Sequence, residues 1–131
     1  MNNEIRKYNV RGIRGATTVD SDNADLIKGA TEDLLKQMIT INNVSTDDIA
    51  AVFFTTTSDL SDEFPAVAAR EMGWDSVPLI CGHEMSVPQG LKKCIRILIL
   101  WNTEVKQKMI RHPYLRNAKN LRKNDNEFEA S

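Results

Sequence analysis

The chain has no apolar stretch able to enter a bilayer. Its uninterrupted apolar runs, such as residues 49–54 and 97–101, fall far short of the roughly 20 residues that a spanning helix needs. The first ten residues, MNNEIRKYNV, lack the apolar centre of a secretion signal. A cytoplasmic location is therefore expected, and with it two free thiols, Cys81 and Cys94. In that compartment the glycosylation triplet Asn43-Val44-Ser45 is accidental. Aromatic residues, at 6%, are too few for the stacking platforms of single-stranded nucleic-acid binders, and a net charge of -1 argues against nucleic acid in general. Neither C-x-x-C nor H-E-x-x-H occurs, and the phosphate-loop and dinucleotide patterns are missing. Cys81, His83, Glu84 and Cys94 are close and of ligand type, but they follow no zinc spacing, so no metal is expected.

What is present is ordinary for a globular protein: 41% hydrophobic and 27% charged residues. A chain of 131 residues suits one domain over 1–131, burying about two thirds of its unfolded surface. Residues 1–7 read as an extension and 124–131 as a tail, both expected to be mobile. Charge is unevenly spread, residues 1–66 summing to -5 and 67–131 to +4. A basic half suits RNA or an anionic small molecule.

The chain is organised around residues 79–101, LICGHEMSVPQGLKKCIRILILW. Leu79-Ile80-Cys81 reads as the end of a buried strand, and residues 94–101 as a second, β-branched and too continuous for a solvent face. A tight hairpin is expected to join them. Arg96 is out of place in the second strand, because a guanidinium cannot shed its proton and needs a carboxylate or an anionic ligand. Glu84 is the nearest carboxylate, so a structural ion pair closing the hairpin and a functional pair are both open.

In chain order, residues 8–14 read as a first strand ending in Arg11-Gly12-Ile13-Arg14-Gly15-Ala16-Thr17-Thr18, where glycines beside arginines leave backbone available to an anion. The spacing of Leu26, Ile27, Ala30, Leu34, Leu35, Met38 and Ile39 predicts an amphipathic helix over 23–42, capped by Asp20-Ser21-Asp22. Ser45-Thr46-Asp47-Asp48 resembles a capping box, and 49–57 is a buried strand. A short helix over 64–72 opens with Pro65 and ends at Gly73. Residues 102–122 are expected to be helical on both sides of Pro113. The class is α/β in the α+β sense: a mixed sheet of about four or five strands with packed helices.

Arg14, Arg70, Glu84, Arg96, Tyr114 and Arg122 form a set suited to a small polycarboxylate, each guanidinium taking a carboxylate in fork geometry. No general base stands among them, which leaves a binding module or a reaction without proton transfer. Nucleophilic catalysis by Cys81 would need His83 or Arg96 to activate it, and a strand-end cysteine is more often packing.

Arg11-Gly12-Ile13-Arg14-Gly15-Ala16-Thr17-Thr18, Phe64-Pro65-Ala66 with Ala69-Arg70-Glu71, Val77-Pro78, Cys81-x-x-Glu84-Met85, Gly90-Leu91-Lys92-Lys93-Cys94-Ile95-Arg96 and Ile110-Arg111-His112-x-Tyr114-Leu115 together resemble the monofunctional chorismate mutases of the AroH type, in order over residues 11–122. The resemblance implies a pericyclic isomerase converting chorismate to prephenate on the route to phenylalanine and tyrosine. It also implies no cofactor and a homotrimer of pseudo-α/β-barrel form with active sites at subunit interfaces. By position, Arg96 would face the breaking ether oxygen, Glu84 with Ile80, Cys81, Gly82 and His83 would hold the ring hydroxyl, and Arg14 and Tyr114 would bind carboxylate. Phe64 and Arg70 would come from the neighbouring subunit, with Leu121 and Arg122 near the mouth. Gly82-His83 and Pro88-Gln89 depart from the family pattern at the edges of the site. A trimeric carboxylate-binding module and a trimeric imine deaminase are the alternatives.

Overall fold

A computed structural model describes residues 8–122, apart from the side chain of Arg122. The segments 1–7 and 124–131, expected to be mobile, lie outside the described residues. Strand β1 (Asn9–Thr18) leads into helix α1 (Ala24–Asn42), then strand β2 (Ile49–Thr56), short helix α2 (Ala66–Glu71), and strands β3 (Leu79–His83) and β4 (Cys94–Thr103). The order across the four-stranded sheet is β1-β4-β2-β3. β4 runs antiparallel to both neighbours, and β2 and β3 run parallel. The mixed sheet with packed helices is thus as expected. Among the described residues, no helix is long and apolar enough to cross a membrane.

The expected hairpin between β3 and β4 does not form, because β2 lies between them. β3 instead completes a crossover through α2 and pairs parallel with β2, and residues 84–93 carry the chain over β2 to the central position. A central strand is laddered on both edges, which suits the β-branched run of β4. The idea that β4 has no open face is also overturned. Its residues alternate, with Ile95, Ile97 and Ile99 buried, while Arg96 and Leu98 are exposed in the single chain.

α1 covers the buried face. Ile27, Ala30, Thr31, Leu34, Leu35 and Met38 point inward, each large aliphatic side chain contributing roughly 1.5–3 kcal/mol when fully buried. The Thr31 hydroxyl can join them because it donates to the Ile27 carbonyl at 2.7 Å. Leu26, expected on the inner face, is exposed. The helix lies close because Gly15 has no side chain, since a Cβ there would meet Met38 Sδ at 2.8 Å and Leu34 Cδ1 at 3.0 Å. Gly15 therefore serves packing, and both motif glycines lie inside β1, which runs four residues beyond the expected end at Arg14.

The caps differ in detail from expectation. Asn23 caps α1, its Oδ1 accepting the Leu26 amide at 3.0 Å. Asp22 instead accepts the amides of Ser61 and Asp62, and the Asp62 carboxylate accepts the Ala24 amide. The start of α1 is thereby tied to the loop before α2. Ser45 makes no side-chain cap bond at the 3₁₀ turn Thr46–Asp48. Gly73, at φ 89°, ends α2 as expected, with the Trp74 amide reaching back to Ala69 and the Gly73 amide to Arg70.

After β4 the described residues hold no α-helix, and the helical structure expected on both sides of Pro113 is short and of the 3₁₀ type. Two 3₁₀ turns, Gln107–Met109 and Arg116–Arg122, flank an extended stretch around Pro113. Proline forces its predecessor out of helical geometry. The stretch also spends its backbone on β1: the Ala16 amide donates to the Pro113 carbonyl and the Leu115 amide to the Ala16 carbonyl.

Candidate active site

The uncovered face of the sheet carries the charge. Ala16 on β1, Arg96 on β4 and Thr55 on β2 lie abreast, Arg96 pairing in register with both neighbours. One residue beyond β3, the Glu84 amide adds a rung to the ladder by donating to the Thr56 carbonyl at 2.8 Å. Its carboxylate accepts a hydrogen bond from the Thr55 hydroxyl and stands 3.8 Å from Arg96 Nε. Glu84 and Arg96 thus meet across β2. At that separation the pair attracts without a direct hydrogen bond, and the side chains keep 30% and 49% of their surface open. The guanidinium remains available to a ligand.

Around this pair is a cavity of about 560 Å³, lined among others by Arg14, Phe53, Thr55, Leu98, Tyr114 and Leu121. Two guanidiniums face one carboxylate, so the hollow favours an anion, and Tyr114 adds a phenol at its wall. Buried Cys94 packs with Ala16, Tyr114 and Ala118 in a small second core. Burial pushes the Cys94 thiol up, with the nearby Arg96 charge opposing it, and the thiol stays protonated.

The other expected site residues lie elsewhere. Phe64, Cys81, Gly82 and His83 line a separate cavity of about 300 Å³ beside Pro65 and Glu63. Arg70 lines a third hollow with Trp74 and Val77. Ile80 is 59% exposed and pairs with Phe53 on the open face. Arg122 closes the last 3₁₀ turn, and its side chain lies outside the described residues. Within one chain, Cys81 therefore keeps company with Phe64 and not with Glu84. Burial raises the Cys81 thiol too, against the lowering effects of the Ala66 amide and the Arg70 charge, which disfavours the thiolate that nucleophilic attack needs. Among the described residues, no group of three or more His, Cys, Asp or Glu side chains could hold a metal ion.

Phe53, Thr55 and Leu98 line the cavity without having been singled out in the sequence. The available signal was alternation: Arg96 and Leu98 share a face of β4, and Phe53 and Thr55 share one of β2. Matching the two required the register, which is a long-range property.

The family model for chorismate mutase type I matches residues 10–125. The chain is 49% identical over 114 residues to the chorismate mutase AroH of Thermus thermophilus, covering 86% of this chain and 93% of that one. Against the chorismate mutase AroH of Bacillus subtilis it is 45% identical over 114 residues, covering 86% and 90%. A solved chorismate mutase structure from Clostridium thermocellum aligns with a TM-score of 0.81 at 49% identity, covering 82% of this chain and 96% of that one.

Proposed function

The chain belongs to the chorismate mutase type I family and is an isomerase of aromatic amino acid biosynthesis that converts chorismate to prephenate, and from this we propose that Arg96 supplies the charge its transition state needs. The rearrangement breaks one ether C–O bond and forms one C–C bond within a single molecule. No proton, electron or group leaves. As the ether bond lengthens, its oxygen gains partial negative charge, and a permanently charged donor fixed beside it stabilises the transition state more than the ground state. A single preorganised donor of this type is worth about 10²- to 10³-fold in rate. Glu84, held by Thr55, accepts the ring hydroxyl, and Arg14 and Tyr114 take a carboxylate. Holding the extended substrate in its compact conformer supplies much of the remaining acceleration. The observation that carries this reading is a cavity that brings together two guanidiniums, one carboxylate and a phenol.

The reading extends to a homotrimer in which each site is completed by a neighbour. Phe53, Ile80 and Leu98 expose 42%, 59% and 36% of their surface on one sheet face, a patch suited to burial between subunits. Phe64, Arg70 and Cys81 line cavities away from Arg96 in their own chain, which accords with their serving a neighbour's site. The cytoplasm, where both free thiols stay reduced, is the compartment that fits. Family membership decides against the binding module and the imine deaminase.

The test is the loss of chorismate absorbance with purified protein, followed by acid conversion of the product to phenylpyruvate. Turnover without added metal or cofactor is expected. Refolding Arg96→Ala together with Arg70→Ala should restore activity at low substrate above that of either parent. No gain in a mixture shown to be trimeric would mean that each site is built within one chain.

A further inference from the structure

β1 is an edge strand: among the described residues, β4 pairs with one side of it and no strand with the other. The amides on that outer side must still find partners. Side chains meet most of this need. Gln107 clamps Gly12, its Oε1 accepting the Gly12 amide at 2.9 Å and its Nε2 donating to the Gly12 carbonyl at 2.7 Å. Two residues on, the Arg14 amide donates to Nδ1 of His112 at 2.9 Å. Two further on, Ala16 bonds through both backbone groups to Pro113 and Leu115. Just before His112, Arg111 is anchored in both directions by the side-chain amide of Asn42 at the end of α1.

His112 is 6% exposed, and as an acceptor it must present a bare Nδ1, with its proton on Nε2. It sits between the two residues assigned above to a substrate carboxylate. Arg14 is its hydrogen-bond partner, and Tyr114 follows it by two positions and bridges to Ala16. Both line the 560 Å³ cavity. We propose that His112 is a positioning residue for the carboxylate subsite, its neutral imidazole fixing the backbone of Arg14 against the segment that carries Tyr114. This rests on the reading of Arg14 and Tyr114 as carboxylate ligands. The imidazole takes no part in the chemistry. Its effect falls on substrate and transition state alike, because the carboxylate is held equally in both, so the kinetic signature is KM and not kcat.

Three variants separate this role from simple edge-capping. His112→Leu removes the acceptor and is expected to raise KM about tenfold with kcat within about threefold of the parent. His112→Asn, whose Oδ1 can stand near the place of Nδ1, should restore KM to within about twofold to threefold. Gln107→Leu removes the equivalent cap at Gly12, away from the cavity, and should lower the melting temperature while leaving KM unchanged. An unchanged KM in folded His112→Leu, or an equal rise in Gln107→Leu, overturns the proposal. Should His112→Leu fail to fold, the ¹⁵N shifts of the His112 ring in the parent enzyme decide, since a proton found on Nδ1 at neutral pH is incompatible with the bond. Arg14→Ala is the control for the underlying reading. If it leaves KM unchanged, the carboxylate assignment falls; if it raises KM while His112→Leu does not, only the positioning role falls.

Discussion

Alternate residues of the same strands meet two different surroundings. On the side covered by α1, Ile13, Val52, Phe54, Ile95, Ile97 and Ile99 are buried, and Gly15 admits the helix. On the other side Arg14, Thr55, Arg96 and Leu98 face a cavity. A single step along β4, from Ile95 to Arg96, crosses from one to the other. The covered face is specified by shape and volume, since close packing there leaves no room for an unpaired charge. The open face is specified by donors and acceptors placed in register, and its apolar residues are surplus to the stability of one chain. Stability and chemistry can therefore occupy one sheet without competing for positions.

Substitution on the covered side should cost folding and leave the chemistry intact in whatever folds. Phe54→Ala, at 1% exposure, is expected to lose about 3–5 kcal/mol of stability in denaturant unfolding, with kcat per folded molecule little changed. On the open side the pattern should invert. Arg96→Ala is expected to lower kcat by about 10²- to 10³-fold, or ~3–4 kcal/mol, with a melting temperature close to the parent's, because its ion pair is half exposed. Near-parental kcat would sink the electrostatic mechanism. A smaller effect is expected from Thr55→Val, which keeps the shape and removes the donor to Glu84. A loss of about 5- to 10-fold in kcat/KM, at unchanged stability, would show that Glu84 is held by this hydroxyl.

The smallest effect expected is that of pH on turnover. Because no group transfers a proton, kcat should be flat between about pH 7 and pH 9, and a bell in that range would reveal an acid or base. Stability should change outside the window. Burial opposes ionisation of Asp59, but bonds from the Thr57 hydroxyl and the Lys93 amide outweigh it and lower its pKa below the usual 3.8. That contribution is present above pH 3.8 and is lost as pH falls through the depressed value. The Cys81 and Cys94 thiols are raised above 9.0 by burial, so stability should fall as pH rises beyond 9.0, when the unfolded chain ionises first. Thermal melts across both limits check the two signs.

Read in one dimension, the residues determined a good deal. The periodicity of 23–42 marked α1, Gly73 marked the end of α2, and the run 94–101 marked the strand that became central. Arg96 declared itself because a charge in an apolar strand requires a reason, and the ordered motifs named the family. These signals are local, since helical and strand periods and caps depend on neighbours a few residues away. Pairing is not local. The structure alone decided that β3 joins β2 and that Glu84 reaches Arg96 across it. It alone placed Thr55, from a strand some 40 positions before Arg96, at the Glu84 carboxylate, and turned Cys81 toward Phe64. It likewise set an extended stretch between the two C-terminal 3₁₀ helices, where it caps β1 through His112. Those outcomes depend on which backbone edges remain unsatisfied once the sheet has formed, and no window of sequence contains that information.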